Sequence, residues 1–168
     1  MIAPGAALFL AFLIVQRLSE LVIAKRNTRA LLERGAREVA PGHYPLIVAM
    51  HSAWIAALLW WGHDAQIRWE WLVVFAALQG LRIWILASLG RRWTTRIIVL
   101  DEPLVLRGPY RWLRHPNYVL VIAEIAVAPL VLGLGWVALV FSALNAVVLT
   151  IRIQAEDGAL RPRSAARQ

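Results

Sequence analysis

RGPYRWLRHPNYVLVIAEIAVAPLVLGLGWVALVFSALNAVVLTIRI, residues 107–153, decides how this chain is read. It opens on a polar cluster, Arg107, Tyr110, Arg111, Arg114, His115 and Tyr118. It then runs directly into two apolar segments, Tyr118 to Leu132 and Leu134 to Ile153, which are separated only by Gly133. Segments this apolar suit helices in hydrocarbon, and so short a break makes them a tight helical hairpin. Cations, an imidazole and phenols at the mouth of such a hairpin are costly to bury and unnecessary for anchoring, so the cluster reads as a site rather than a scaffold.

The rest of the chain has the same character. Its 168 residues suffice for one domain, and 60% hydrophobic content is well above a soluble globular composition. The mean hydropathy is +0.61. Further apolar runs occupy Ile2 to Ile23, Tyr44 to Trp61 and Trp69 to Leu89. The expected fold is therefore all-α, an integral membrane bundle of about five transmembrane helices with no Rossmann domain. It comprises three N-terminal spans over 1–90, a site-bearing half over 91–160 and a basic, disordered tail over 161–168. No basic residue precedes the first run and several follow it, the reverse of a secretory signal peptide, so the run is expected to remain as a helix.

A net charge of +8 raises nucleic-acid binding, but the basic residues alternate by loop. Lys25, Arg26, Arg29, Arg34 and Arg37 follow the first span. Arg91, Arg92, Arg96, Arg107, Arg111 and Arg114 follow the third, and Arg161, Arg163 and Arg167 follow the fifth. Only Arg68 lies between the second and third spans. The charge reports topology instead of a nucleic-acid partner, with the N-terminus outside and the first loop, third loop and tail in the cytoplasm. Trp60, Trp61, Trp69 and Trp71 cluster at the opposite, outer interface as an aromatic belt.

Local signals complete the outline. Gly35, Pro41 and Gly42 suggest a short surface helix and turn before the second span. Residues 91–106 mix apolar β-branched side chains with charges, which suits an extended interfacial segment ended by Pro103. Pro116 fits the first turn of the fourth helix, whose N-terminus would favour an anion. Zero cysteines exclude disulfides and thiolate chemistry. No glycine-rich phosphate loop and no histidine pair at metal spacing occurs, so no metal is expected; His43, His51 and His63 read as interfacial or capping residues.

Several polar residues fall inside the spans. Gln16, Arg17 and Glu20 share a helix face, as do Gln79 and Arg82, and their plainest role is to join helices. Glu124 lies about two turns into the fourth span and must face protein or water. Asn145, Arg152 and Glu156, spaced by seven and four, line one stripe of the fifth helix. With His115 and Tyr118 near the same mouth, this second group reads as a site.

Arg114-His115-Pro116-Asn117-Tyr118, preceded by Gly108-Pro109-Tyr110 and followed after the hairpin by Arg152-Ile153-Gln154-Ala155-Glu156-Asp157, resembles the isoprenylcysteine carboxyl methyltransferase family and its bacterial relatives. Arg26-Asn27-Thr28 and Gly42-His43-Tyr44-Pro45 resemble the first loop of the bacterial branch. The resemblance implies an enzyme of a bacterial inner membrane that moves a methyl group from S-adenosylmethionine to a lipophilic small molecule or lipid. It implies cofactor contacts from Tyr110, His115, Tyr118 and Glu156 and from the backbone around Leu104 to Leu106, with Arg152 at the reacting end. Asp157 stands where a second glutamate is usual.

The residues themselves suit that cofactor. Its amino-acid head needs cationic or N–H donors beside an acid: Arg114, His115, Asn117 and the start of the fourth helix supply the donors, Glu156 or Asp157 the acid. Its sulfonium prefers aromatic faces, available from Tyr110 and Tyr118. A carboxylate acceptor needs only orientation by Arg152. A phenol or enol benefits from a base, for which Glu124, raised in pKa by burial, is the candidate, with Asn145 on the same catalytic side. Two rivals remain: a phospholipid amine N-methyltransferase, and a small transporter or assembly protein whose buried charges serve a pathway or helix contacts.

Overall fold

The computed structural model describes residues 3–103 and 105–165, with only the backbone of His43 and residues 157–165. Five helices carry the chain: α1 (Pro4–Glu33), α2 (Tyr44–Gly62), α3 (Trp69–Leu89), α4 (Pro116–Val131) and α5 (Gly135–Ala165). Two-residue strands β1 (Arg37–Glu38) and β2 (Ile98–Val99) pair antiparallel. α1, α2, α3 and α5 are each long and apolar enough to cross a membrane. α4, at 16 residues, is shorter, about 24 Å against a hydrocarbon core of about 30 Å.

α4 tolerates that length because it is the most enclosed helix. It packs between α3 and α5, and Leu120, Ile125, Ala128 and Val131 are fully buried. Around it, Leu13, Trp54, Leu58, Phe75, Val137 and Phe141 complete the core. Leu8, Val15, Val22, Val73, Ile83, Leu139 and Val147 are exposed on the outside, as lipid-facing side chains should be.

Glycine in the left-handed region ends two helices. After α1, Gly35 (φ 84°) lets the Ala36 N–H reach the Leu31 carbonyl and the Gly35 N–H the Leu32 carbonyl, a Schellman closure. Gly133 (φ 71°) does the same after α4, where Leu134 N–H bonds the Pro129 carbonyl and Gly133 N–H the Leu130 carbonyl. That closure makes the tight hairpin expected from the sequence.

The loops sort to opposite ends. At one end Ala3 N–H bonds the His63 carbonyl at 3.0 Å and Arg68 N–H bonds the Val131 carbonyl at 2.9 Å, which gathers the N-terminus, the second loop and the hairpin. The exposed Trp60, Trp61 and Trp69 lie here, with Trp61 edge-on to Trp136. At the other end the β1–β2 pair ties the first loop to the third, and Arg96 grips both Glu38 oxygens at 2.9 Å.

Three local expectations are corrected. The first loop forms no surface helix: α1 continues unbroken to Glu33, because residues 24–33 contain no glycine or proline, and only a strand and a 3-10 turn (Pro41–His43) follow. The third loop is extended only at Ile98–Val99; it begins as a 3-10 turn at Gly90–Arg92. α5 continues as backbone to Ala165, where the sequence suggests disorder. The side chains of His43, Arg161 and Arg163, and Arg167 altogether, lie outside the described residues.

Candidate active site

α4 starts at Pro116, where a missing N–H costs nothing, and His115 precedes it in a non-helical conformation (φ −132°). The His115 and Tyr118 rings stack with centroids 5.1 Å apart and planes 15° from parallel. α5 presents Arg152 and Glu156, one turn apart, to that stack. The Tyr118 hydroxyl donates to Glu156 Oε2 and accepts from Arg152 Nε at 2.9 Å. His115 Nδ1 lies 3.9 Å from Glu156 Oε1. Arg152 also donates through Nη1 to the Thr95 carbonyl at 2.7 Å, so one guanidinium clamps α4, α5 and the third loop together.

The loop wall is held by a close backbone approach. Gly108 has φ 58°, and a Cβ there would come within 2.0 Å of Ser88 Oγ. Arg107 Nε donates to the Ser88 carbonyl at 2.9 Å. These contacts seat the 3-10 turn Gly108–Arg111 on the end of α3, bury Pro109 and turn Tyr110 toward the site. Burial, and then the Glu156 charge, push the Tyr110 phenol up from its ordinary value, so it stays a neutral donor at physiological pH.

Two cavities meet here. The loop-side cavity, about 520 Å³, is walled by Tyr110, Arg114, His115, Asn117, Tyr118, Arg152 and Glu156. The second, about 380 Å³, descends among the helices between Leu18 and Leu21 of α1, Ile47 and Ile55 of α2, Val121 of α4 and Val148 and Leu149 of α5. Trp93, Thr94, Asn117, Tyr118 and Arg152 belong to both walls. The loop-side volume lies within the range of small-molecule and cofactor sites. Its wall offers an acid, cations and aromatic faces, the donor set that an amino-acid head and a sulfonium require.

Of the residues singled out from sequence, Tyr110, Arg114, His115, Asn117, Tyr118, Arg152 and Glu156 therefore come together. Asn145, 3% exposed, lines the second cavity. The Asp157 side chain and Leu104 lie outside the described residues. Glu124 is elsewhere: fully buried, it lines neither cavity. Its oxygens accept from Arg17 Nη2 at 2.7 Å, Arg82 Nε at 2.9 Å and Gln79 Nε2 at 3.1 Å, and Arg82 Nη2 completes the set. Glu20 takes the remaining arms, from Arg82 Nη1 at 2.5 Å and Arg17 Nη1 at 3.3 Å. The lone carboxylate expected as a base is the anionic centre of an ion-pair network joining α1, α3 and α4.

His51 corrects a reading in the other direction. The sequence suggests an interfacial or capping histidine; the structure turns it into the second cavity, with Nδ1 2.9 Å from the Ile47 carbonyl. Trp93 and Thr95 were also missed, because a loop's path over a helix bundle leaves no periodic trace in sequence.

Comparisons with known proteins point to one family. The family model described as isoprenylcysteine carboxyl methyltransferase matches residues 71–162, the segment that carries every residue of the Tyr118–Arg152–Glu156 chain. An uncharacterized protein of Bacillus subtilis (strain 168), YpbQ, is 40% identical over 163 residues, covering 94% of this chain and 97% of its own length. No solved structure matches.

Proposed function

Because this chain belongs to the isoprenylcysteine carboxyl methyltransferase family, whose members transfer methyl groups from S-adenosylmethionine in membranes, we propose how its two cavities divide that task. The loop-side cavity holds the cofactor, the intramembrane cavity holds a lipophilic acceptor, and transfer occurs where they share Asn117, Tyr118 and Arg152. The observation that carries this reading is that common wall. The more polar chamber and the apolar one share a wall that includes a cation fixed by two hydrogen bonds.

Glu156 receives the cofactor's ammonium, aimed by Tyr118 and His115, while Arg114 and Asn117 face its carboxylate. When bound, the cofactor supplies a methyl group on a sulfonium that loses its charge as the methyl leaves. Arg152 then does the protein's main work: held against Thr95 and Tyr118, it orients an acceptor oxygen and favours its anionic form. A carboxylate, phenol or enol meets that requirement, and O-methyl transfer is the favoured reaction. The basic residues of these loops support a cytoplasmic position for this end, where a water-soluble cofactor is available.

The test is S-adenosylmethionine binding by calorimetry on detergent-purified protein, followed by a labelled-methyl screen of carboxylates, alkyl phenols and ethanolamine lipids. Glu156→Ala should abolish binding while the protein still inserts and folds. Unchanged binding would remove Glu156 from the site, and transfer only to ethanolamine lipids would replace oxygen with nitrogen as the acceptor.

A further inference from the structure

We propose that the intramembrane cavity recognises a second oxygen on its acceptor: a neutral carbonyl or hydroxyl roughly 15 Å from the methylated group, received by Trp54 and Arg17. This rests on the reading of that cavity as the acceptor site.

The cavity is not apolar throughout. Tyr44 reaches Thr95 through its hydroxyl at 3.3 Å, which places it level with Arg152. His51 follows Tyr44 by seven residues on α2, and Asn145 precedes Arg152 by seven on α5. At the helical rise both lie roughly 10 Å deeper, and Trp54, ten residues beyond Tyr44, roughly 15 Å deeper. Arg17 and Trp54 line the same cavity, with the Arg17 guanidinium 6.0 Å from the centroid of the Trp54 ring. A belt of polar groups therefore crosses the cavity well below the point of transfer.

Two donors in that belt are unmet. Trp54 is fully buried, and neither its Nε1 nor Arg17 Nε has a hydrogen-bond partner among the described residues. The other arginine nitrogens of the network are occupied by Glu20 and Glu124. Buried N–H groups are almost always paired, and a purely hydrocarbon chain would leave both of these without an acceptor. The charge of the ligand group follows from the network. Arg17 and Arg82 are balanced by Glu20 and Glu124, so an added carboxylate would unbalance it and a neutral oxygen would not. His51, with Nδ1 facing the Ile47 carbonyl, leaves Nε2 free to accept from a hydroxyl. A ligand hydroxyl can thus donate and accept in the same belt, whereas a carbonyl uses the two unmet donors alone.

The experiment compares two 4-alkylphenols in nanodiscs, one with a plain chain and one carrying a ketone about eight carbons from the ring, so that ring and chain together set it roughly 15 Å from the phenol oxygen, the depth of Trp54. Binding is read by calorimetry, independently of turnover. The ketone should bind about five- to tenfold more tightly, the return expected from one or two buried hydrogen bonds. Trp54→Phe, which keeps an aromatic ring and removes Nε1, should erase most of that preference. The Trp54 indole N–H resonance, assigned by its loss in the variant, should move with the ketone and not with the plain phenol. Equal affinities in the unaltered protein, or a preference that survives Trp54→Phe, overturns the proposal. S-adenosylmethionine binding and labelled-methyl transfer are measured in parallel: selective binding of the ketone without methylation would sustain this subsite and sink the transfer reading instead.

Discussion

Glu124→Gln is the substitution that best separates structure from catalysis. The unaltered carboxylate has no exposed side-chain surface and lies against two guanidiniums that are 17% and 6% exposed. Gln79 donates to it as well. The amide is nearly isosteric but neutral, and its NH2 group must face a guanidinium donor. Arg17 and Arg82 are then left with Glu20 as their single counter-charge, one buried cation in excess. Breaking a buried pair in this way costs about 3–5 kcal/mol, and for a chain of this size that lowers the thermal midpoint by roughly 10 °C. Near-ultraviolet dichroism of the detergent-solubilised protein against temperature measures it. S-adenosylmethionine affinity should hold within about twofold, because Glu124 does not reach the loop-side cavity. The double substitution Arg82→Met with Glu124→Leu should regain most of the loss, since Arg17 and Glu20 remain as a balanced pair. A Glu124→Gln protein of undiminished stability that binds cofactor yet fails to methylate hydroxyl acceptors would refute this reasoning and return Glu124 to the role of base.

Gly108→Ala should weaken S-adenosylmethionine binding at least tenfold by calorimetry, because its Cβ would overlap Ser88 and lift the turn that carries Tyr110; that is about 1.4 kcal/mol, comparable to the cost of a strained backbone position. Arg152→Lys keeps the charge but cannot serve both Tyr118 and Thr95, so turnover should fall roughly 100-fold while cofactor affinity changes less than tenfold. Orientation is testable in this cysteine-free chain with single cysteines at the exposed positions Asp64 and Asp101. An impermeant maleimide should label position 64 on intact cells and position 101 only after permeabilisation; the reverse pattern would invert the topology.

Hydropathy and charge made the membrane bundle legible, since crossing hydrocarbon demands long apolar helices and the loops then carry the charges that set topology. The residues of the Tyr118–Arg152–Glu156 chain were legible too, because helical spacing and a proline-marked helix start put them on facing stripes. Glu124 shows where that reasoning stops. Its own helix contains no cation, and the guanidiniums that hold it come from 107 and 42 residues away in sequence. The same distance hid the cavity face of His51 and the clamp between Arg152 and the Thr95 carbonyl. The sequence by itself determined which segments span the membrane, because each helix must satisfy its backbone and expose apolar side chains on its own account. Only the tertiary structure decided which buried charges cancel and which donors remain open, because those pairings depend on the packing of different helices and have no period along the chain.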